Sequence, residues 1–183
     1  MRLGPAGAPL LRAVVLSVAT LVGACSSDPY PFHGTGPGAH QYNPAALGEP
    51  IPAVVLELQV RPDDRIELLG AEGIGLGAGA QAEFLFSPPV ISPDGTHTVG
   101  ERLEPLVGAI ATAAEPTDGP GNSVGIVARI TATKPGRYVL ESVRLRFRLN
   151  GGPEQTRDGI DVVVTVCAAD PRPADCNEES PPP

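Results

Sequence analysis

The chain has 183 residues, a formal charge of −8, 4% aromatic residues, no tryptophan, and 22 residues each of glycine and proline. That length suits one domain and is too short for two of the usual ~100–150 residues each. The composition leaves a core to be built from Val, Leu, Ile and Ala in short strands rather than long helices, and the acidic balance argues against nonspecific binding to nucleic acid or anionic lipid.

At the start, Arg2 and Arg12 flank the approach to a ten-residue apolar run, Ala13 to Val22, which ends in small residues and then Cys25. Ten residues rise only ~15 Å as a helix, about half of the ~30 Å hydrocarbon core, so the run is too short to span a membrane and reads as the apolar region of a signal peptide. Its end, Val22-Gly23-Ala24-Cys25, resembles the lipobox of bacterial lipoproteins: an aliphatic residue, two small ones, then the cysteine. The resemblance implies cleavage before Cys25 and lipidation of its thiol. The mature chain would then be a cell-envelope lipoprotein, held by acyl chains outside the cytoplasmic membrane. A plain secretory signal cleaved near Ala24 is the alternative. Each buried CH2 contributes ~0.8 kcal/mol and a single chain holds only marginally, so a diacyl group is what makes such an anchor stable.

Residues 25–52 are rich in Pro and Gly and follow neither strand nor helix periodicity, so they read as an extended tether. The domain is expected over 53–169, with a Pro-rich acidic tail over 170–183. In AVVLELQV, Val54, Leu56, Leu58 and Val60 fall on one face with Glu57 and Gln59 opposite, which is strand periodicity, and PDD then turns the chain. RIELL and AEFLF read as strands separated by a glycine-rich loop, and THTV as a short strand. ERLEPLVGAIATAAE is ambiguous, since Pro105 and Gly108 count against a long helix. SVGIVARITAT alternates again.

The row Val143, Leu145, Phe147, Leu149 and the row Ile160, Val162, Val164, Val166 are expected to pair as a terminal hairpin around NGG. Together these elements predict an all-β, immunoglobulin-like antiparallel β-sandwich without the Cys-Trp-Cys signature of that class.

With Cys25 assigned to lipid, Cys167 and Cys176 form an even pair in an oxidising compartment and are expected to close a structural disulfide. Chemical motifs are weak. Gly121-Asn122-Ser123-Val124-Gly125 fits GxSxG, but a strand pattern follows it and the last histidine, His97, precedes it. Gly73-Ile74-Gly75-Leu76-Gly77-Ala78 resembles a dinucleotide fingerprint but no helix pattern opens there. His33, His40 and His97 lack metal-site spacing, and Asp63-Asp64 and Glu178-Glu179 are adjacent carboxylates on turns, which gain no burial to raise a pKa. No catalytic residue, metal site or cofactor is therefore expected.

The row Arg144, Arg146, Arg148 is the surface feature that stands out. Three like charges ~6.6–6.8 Å apart repel unless carboxylates such as Asp161 face them. The bland reading is a face of cross-strand ion pairs; the sharp one is a docking strip for an anionic envelope polymer or an acidic protein. The functional expectation is a noncatalytic, lipid-anchored interaction or structural module. An extracytoplasmic ligand- or metal-binding lipoprotein is the alternative.

Overall fold

The computed structural model describes residues 31–32, 39–91, 97–114 and 122–168. The signal segment 1–24, Cys25, His33, Glu115, Asp118, Cys176 and the tail 170–183 lie outside the described residues.

Among the described residues, thirteen strands run in chain order as β1 (Ala39–Ala45), β2 (Pro50–Gln59), β3 (Arg65–Ile74), β4 (Ala80–Ser87), β5 (Val90–Ile91), β6 (His97–Thr98), β7 (Glu104–Pro105), β8 (Ile110–Thr112), β9 (Ser123–Ala132), β10 (Gly136–Leu140), β11 (Ser142–Leu149), β12 (Glu154–Gly159) and β13 (Val162–Ala168). No α-helix occurs among the described residues. Two four-stranded sheets, β2-β9-β4-β7 and β12-β11-β3-β8, form the sandwich; a three-stranded sheet, β1-β13-β10, and the β5-β6 pair complete it. The all-β sandwich expected from the sequence is the fold the chain adopts. Its pairing is antiparallel except for β1 on β13.

Period-two alternation explains which residues turn inward. Val143, Leu145 and Phe147 of β11, Ile66 and Leu68 of β3, Leu56 and Leu58 of β2, and Ile126, Ala128 and Ile130 of β9 are all fully buried and belong to one apolar cluster. The outward positions of β11 are arginines. β13 does not alternate: Val163 through Ala168 are all buried, so neither face of this strand is solvated there. A continuous Val-rich run is what such a position requires.

Two expectations are corrected and one open reading is settled. First, the described residues of the expected tether over 25–52, namely 31–32 and 39–52, belong to the fold. Phe32 is buried and bridges Leu58, Gln59 N–H donates to Pro31 C=O at 2.9 Å, Ala39–Ala45 form β1, and β2 starts at Pro50 rather than Ala53. The sequence AHQYNPA hides β1 because a parallel edge strand is held by main-chain hydrogen bonds, and its side chains are mostly half-buried or exposed.

Second, the hairpin around NGG pairs β11 with β12, and β13 leaves for the third sheet. β12 is the polar stretch EQTRDG, an exposed edge strand with no apolar row to mark it. Third, the ambiguous segment forms β7 and β8 around a tight turn in which Gly108 has φ 84° and Leu106 is buried.

The β2 register shifts between Val54 and Leu56, leaving Val55 in a bulge. Asp161 holds that bulge. Its own N–H donates to Val55 C=O at 2.8 Å, and its carboxylate accepts from Glu57 N–H at 2.6 Å. The link joins the β12-β13 corner to the free edge of β2.

Candidate functional site

The arginine row lies on the solvent face of β11, flanked by β3 and β12. Register sets Arg144 opposite Asp158 and Glu72, Arg146 opposite Thr156 and Gly70, and Arg148 opposite Glu154 and Glu67. Arg144 makes a bidentate contact, donating from Nε and Nη2 to the two oxygens of Asp158 at 2.9 and 3.0 Å. Arg146 Nη1 reaches Glu154 Oε1 at 3.4 Å, and Arg148 Nη1 reaches Glu67 Oε2 at 3.3 Å. The hydrogen bonds to Arg144 hold the Asp158 carboxyl below its ordinary range, and the same bonds, with the nearby charge, raise the Arg144 guanidinium.

Backbone space matters at Arg146. A Cβ on Gly70 would come within 2.8 Å of Arg146 Nη2, so the missing side chain lets the guanidinium lie across β3.

The three arginines of the row thus stand among four carboxylates, Glu67, Glu72, Glu154 and Asp158. Of the two readings of Arg144, Arg146 and Arg148, the geometry favours the face of cross-strand ion pairs over the strip for an anionic partner, because each positive charge has a carboxylate partner within the sheet. The cross-strand reading holds, with Asp158, Glu154 and Glu67 as the partners; Asp161, named from sequence as a partner, sits instead on the β2 bulge.

On the outer face of the other sheet, a shallow groove of about 390 Å³ is lined by Pro50, Gln81, Ala82, Glu83, Arg129 and Thr131. Arg129 and Glu83 pair across β9 and β4 at 3.0 Å, while Arg129 Nε has no hydrogen-bond partner. The groove offers donors and acceptors to a small polar molecule but no apolar floor to drive tight binding.

Farther along this face, Leu85 and Val127 are buried outside the main apolar cluster. The segment after β6 covers that region. Gly100 N–H donates to Ser87 Oγ at 2.7 Å, and a Cβ on Gly125 would lie 3.3 Å from Val99.

The motif residues take structural roles. Ser123 begins β9 and donates from Oγ to Gln59 Oε1 at 3.2 Å, so it stands on a strand rather than on a nucleophile elbow. Gly73 and Ile74 end β3, and Gly75 and Gly77 adopt φ of 100° and 68° in the turn to β4. A Cβ on Gly75 would lie 2.8 Å from Val139 C=O, which explains that glycine by close backbone approach. His40 lies on β1, and the described residues hold no group of three or more His, Cys, Asp or Glu able to hold a metal ion. Asp64 accepts from Asn150 Nδ2 at 2.6 Å. Cys167 is buried near the end of β13 and is engaged rather than free.

Sequence reasoning passed over Phe32, one aromatic among prolines whose burial nothing local signals. The NGG turn was legible, since Asn-Gly in a hairpin turn favours positive φ, and Asn150 adopts φ 52°.

No protein-family model and no curated protein matches the chain. Among solved structures, the Proteus mirabilis Ambient Temperature Fimbriae adhesin AtfE aligns with 78% of this chain and 99% of its own at 16% identity, with a TM-score of 0.24. At that score the likeness carries no argument about fold or role; the fold class rests on the strands themselves.

Proposed function

We propose that the protein is a noncatalytic cell-envelope lipoprotein whose β-sandwich serves as an interaction module. One observation carries this reading: a basic start and a short apolar run end in Val22-Gly23-Ala24-Cys25, and a few residues later Pro31 and Phe32 are held to β2. Cleavage before Cys25 would leave a lipid-bearing first residue separated from Pro31 by five residues. The module reading draws support from the charge-matched sheet face, which suits a protein partner better than an anionic polymer.

In the same reading Cys167 pairs with Cys176. The buried position of Cys167 near the end of β13 supports this, and in the chain-entropy model a loop of about ten residues contributes roughly 2.5–3 kcal/mol. A second reading, capture of a small polar ligand, is favoured by the unpartnered Arg129 Nε beside the groove.

Metabolic labelling with a radioactive fatty acid tests the anchor. The full chain should incorporate label and Cys25→Ser should not; label retained by Cys25→Ser overturns the lipoprotein reading. Crosslinking on intact cells, followed by identification of the captured protein, tests the module reading.

A further inference from the structure

We infer that the anchored protein stands on the membrane in one orientation, with the end formed by turns 61–64 and 150–153 against the lipid surface. The inference rests on the lipoprotein reading and adds to it a docking surface and its partner, the bilayer.

Chain length sets the distance. Five residues, 26–30, separate Cys25 from Pro31, so the Cα atoms of Cys25 and Pro31 are at most about 20 Å apart. A tether running to residue 52 would reach ~90 Å and leave the domain free to tumble. Burial of Phe32 and the Pro31–Gln59 hydrogen bond remove that freedom, because they hold the chain to the domain within six residues of Cys25.

Strand direction sets the end. The Phe32–Leu58 bridge is antiparallel, so the step from Phe32 back to Pro31 runs alongside the step from Leu58 to Gln59. That direction leads to turn 61–64. The turn is joined to the 150–153 turn through Asn150, whose side chain donates to Asp64 and accepts from Arg65 N–H at 2.7 Å.

The whole chain is strongly acidic, but within the 61–65 turn Arg61 and Arg65 offset Asp63 and Asp64, so the turn itself adds no net charge.

The opposite end then faces outward. β2 spans ten residues, or about 30 Å, from Gln59 to Pro50. Beside Pro50 lie the turn at 46–49, where Gly48 N–H donates to Ala132 C=O, and the turn at 133–136, where Thr133 N–H donates to Gly79 C=O. β1 and β13 run parallel toward this end and finish at Ala45 and Ala168, so the chain following Ala168 starts there, as does the exposed Leu47. This is the surface presented to a partner.

Lys134, the sole lysine of the sequence, lies in the outward turn and supplies the probe. Full-length lipidated protein is reconstituted into phosphatidylcholine vesicles carrying a headgroup energy acceptor. It bears an amine-reactive donor either at Lys134 or at the site made in D63K/K134R, and K134R measures the N-terminal amine's share. Transfer from D63K/K134R should exceed transfer from Lys134 severalfold. Equal or stronger transfer from Lys134, in protein that sediments with the vesicles, overturns the orientation and leaves the anchor standing. Protein that carries no lipid and stays in the supernatant overturns both.

Discussion

Phe32 and Phe147 meet edge to face, their ring centroids 6.1 Å apart and their planes at 72°. One ring comes from the segment ahead of β1 and the other from the centre of β11, so an aromatic contact fastens the N-terminal entry to the core. Such pairs contribute about 0.5–1.5 kcal/mol beyond the area they bury. Phe32→Ala removes this contact and opens a space beside Leu56 and Gly159. The expected loss is about 3 kcal/mol, read as a lower midpoint in urea unfolding of the mature domain; an unchanged midpoint would show that the entry segment is not part of the cooperative fold.

Asp161 bonds the β2 bulge through its backbone and through its carboxylate. Asp161→Ala strips the acceptor from Glu57 N–H and should cost about 1–2 kcal/mol, whereas Asp161→Asn keeps an oxygen in place and should cost less. Amide exchange at Glu57 gives the local readout. It should accelerate in the alanine variant and stay slow in the asparagine one.

Asn150 combines a positive φ with hydrogen bonds to two neighbours, Asp64 and the Arg65 backbone. Glycine at this position keeps the backbone and loses the bonds; alanine loses both. Asn150→Ala should therefore destabilise by about 1–2 kcal/mol more than Asn150→Gly. Equal losses in chemical denaturation would assign the whole effect to the side-chain bonds.

The Asp158 carboxyl is held below its ordinary range chiefly by its hydrogen bonds to Arg144. A carboxyl depressed in the folded state contributes stability above its unfolded pKa, and that contribution disappears as pH falls through the lower folded value. The pair is exposed, so stability is a poor probe and site-resolved titration a good one. In carboxyl carbon NMR, Asp158 should titrate below an ordinary aspartate, and Arg144→Gln should move its midpoint upward. No movement would mean that the bidentate contact does not persist in solution.

What the sequence disclosed follows from which interactions leave a mark on residue type. β3 and β11, most of β2, and the halves of β4 and β9 away from the segment after β6 have one buried and one solvated face, so their side chains alternate visibly. β1 is held by main-chain bonds to β13, and β12 is an edge strand with exposed side chains; neither needs a hydrophobic pattern. The strand after Ile160 was visible as a Val-rich run, but its partner was not. Pairing with β11 or with β10 satisfies the same valines, and only the corner at Asp161 decides between them. At the surface, the arginine row was legible and its countercharges were not, because Glu67 lies on a strand far away in sequence. Phe32 and Arg129 gain their roles entirely from tertiary neighbours.

The pairing of β1 with β13 sets Ala39 opposite Val162, near the two extremities of the described chain. Contacts of such long sequence separation pay their loop-closure entropy before they are rewarded, so they form late. A chain released in the N-to-C direction cannot complete this sheet until its last strand has emerged. Its first strand waits unpaired in the meantime, with its hydrogen-bonding edge open to other chains. The polar, proline-bearing sequence AHQYNPA suits that interval: it is too poor in apolar residues to aggregate, yet able to dock once β13 supplies the template.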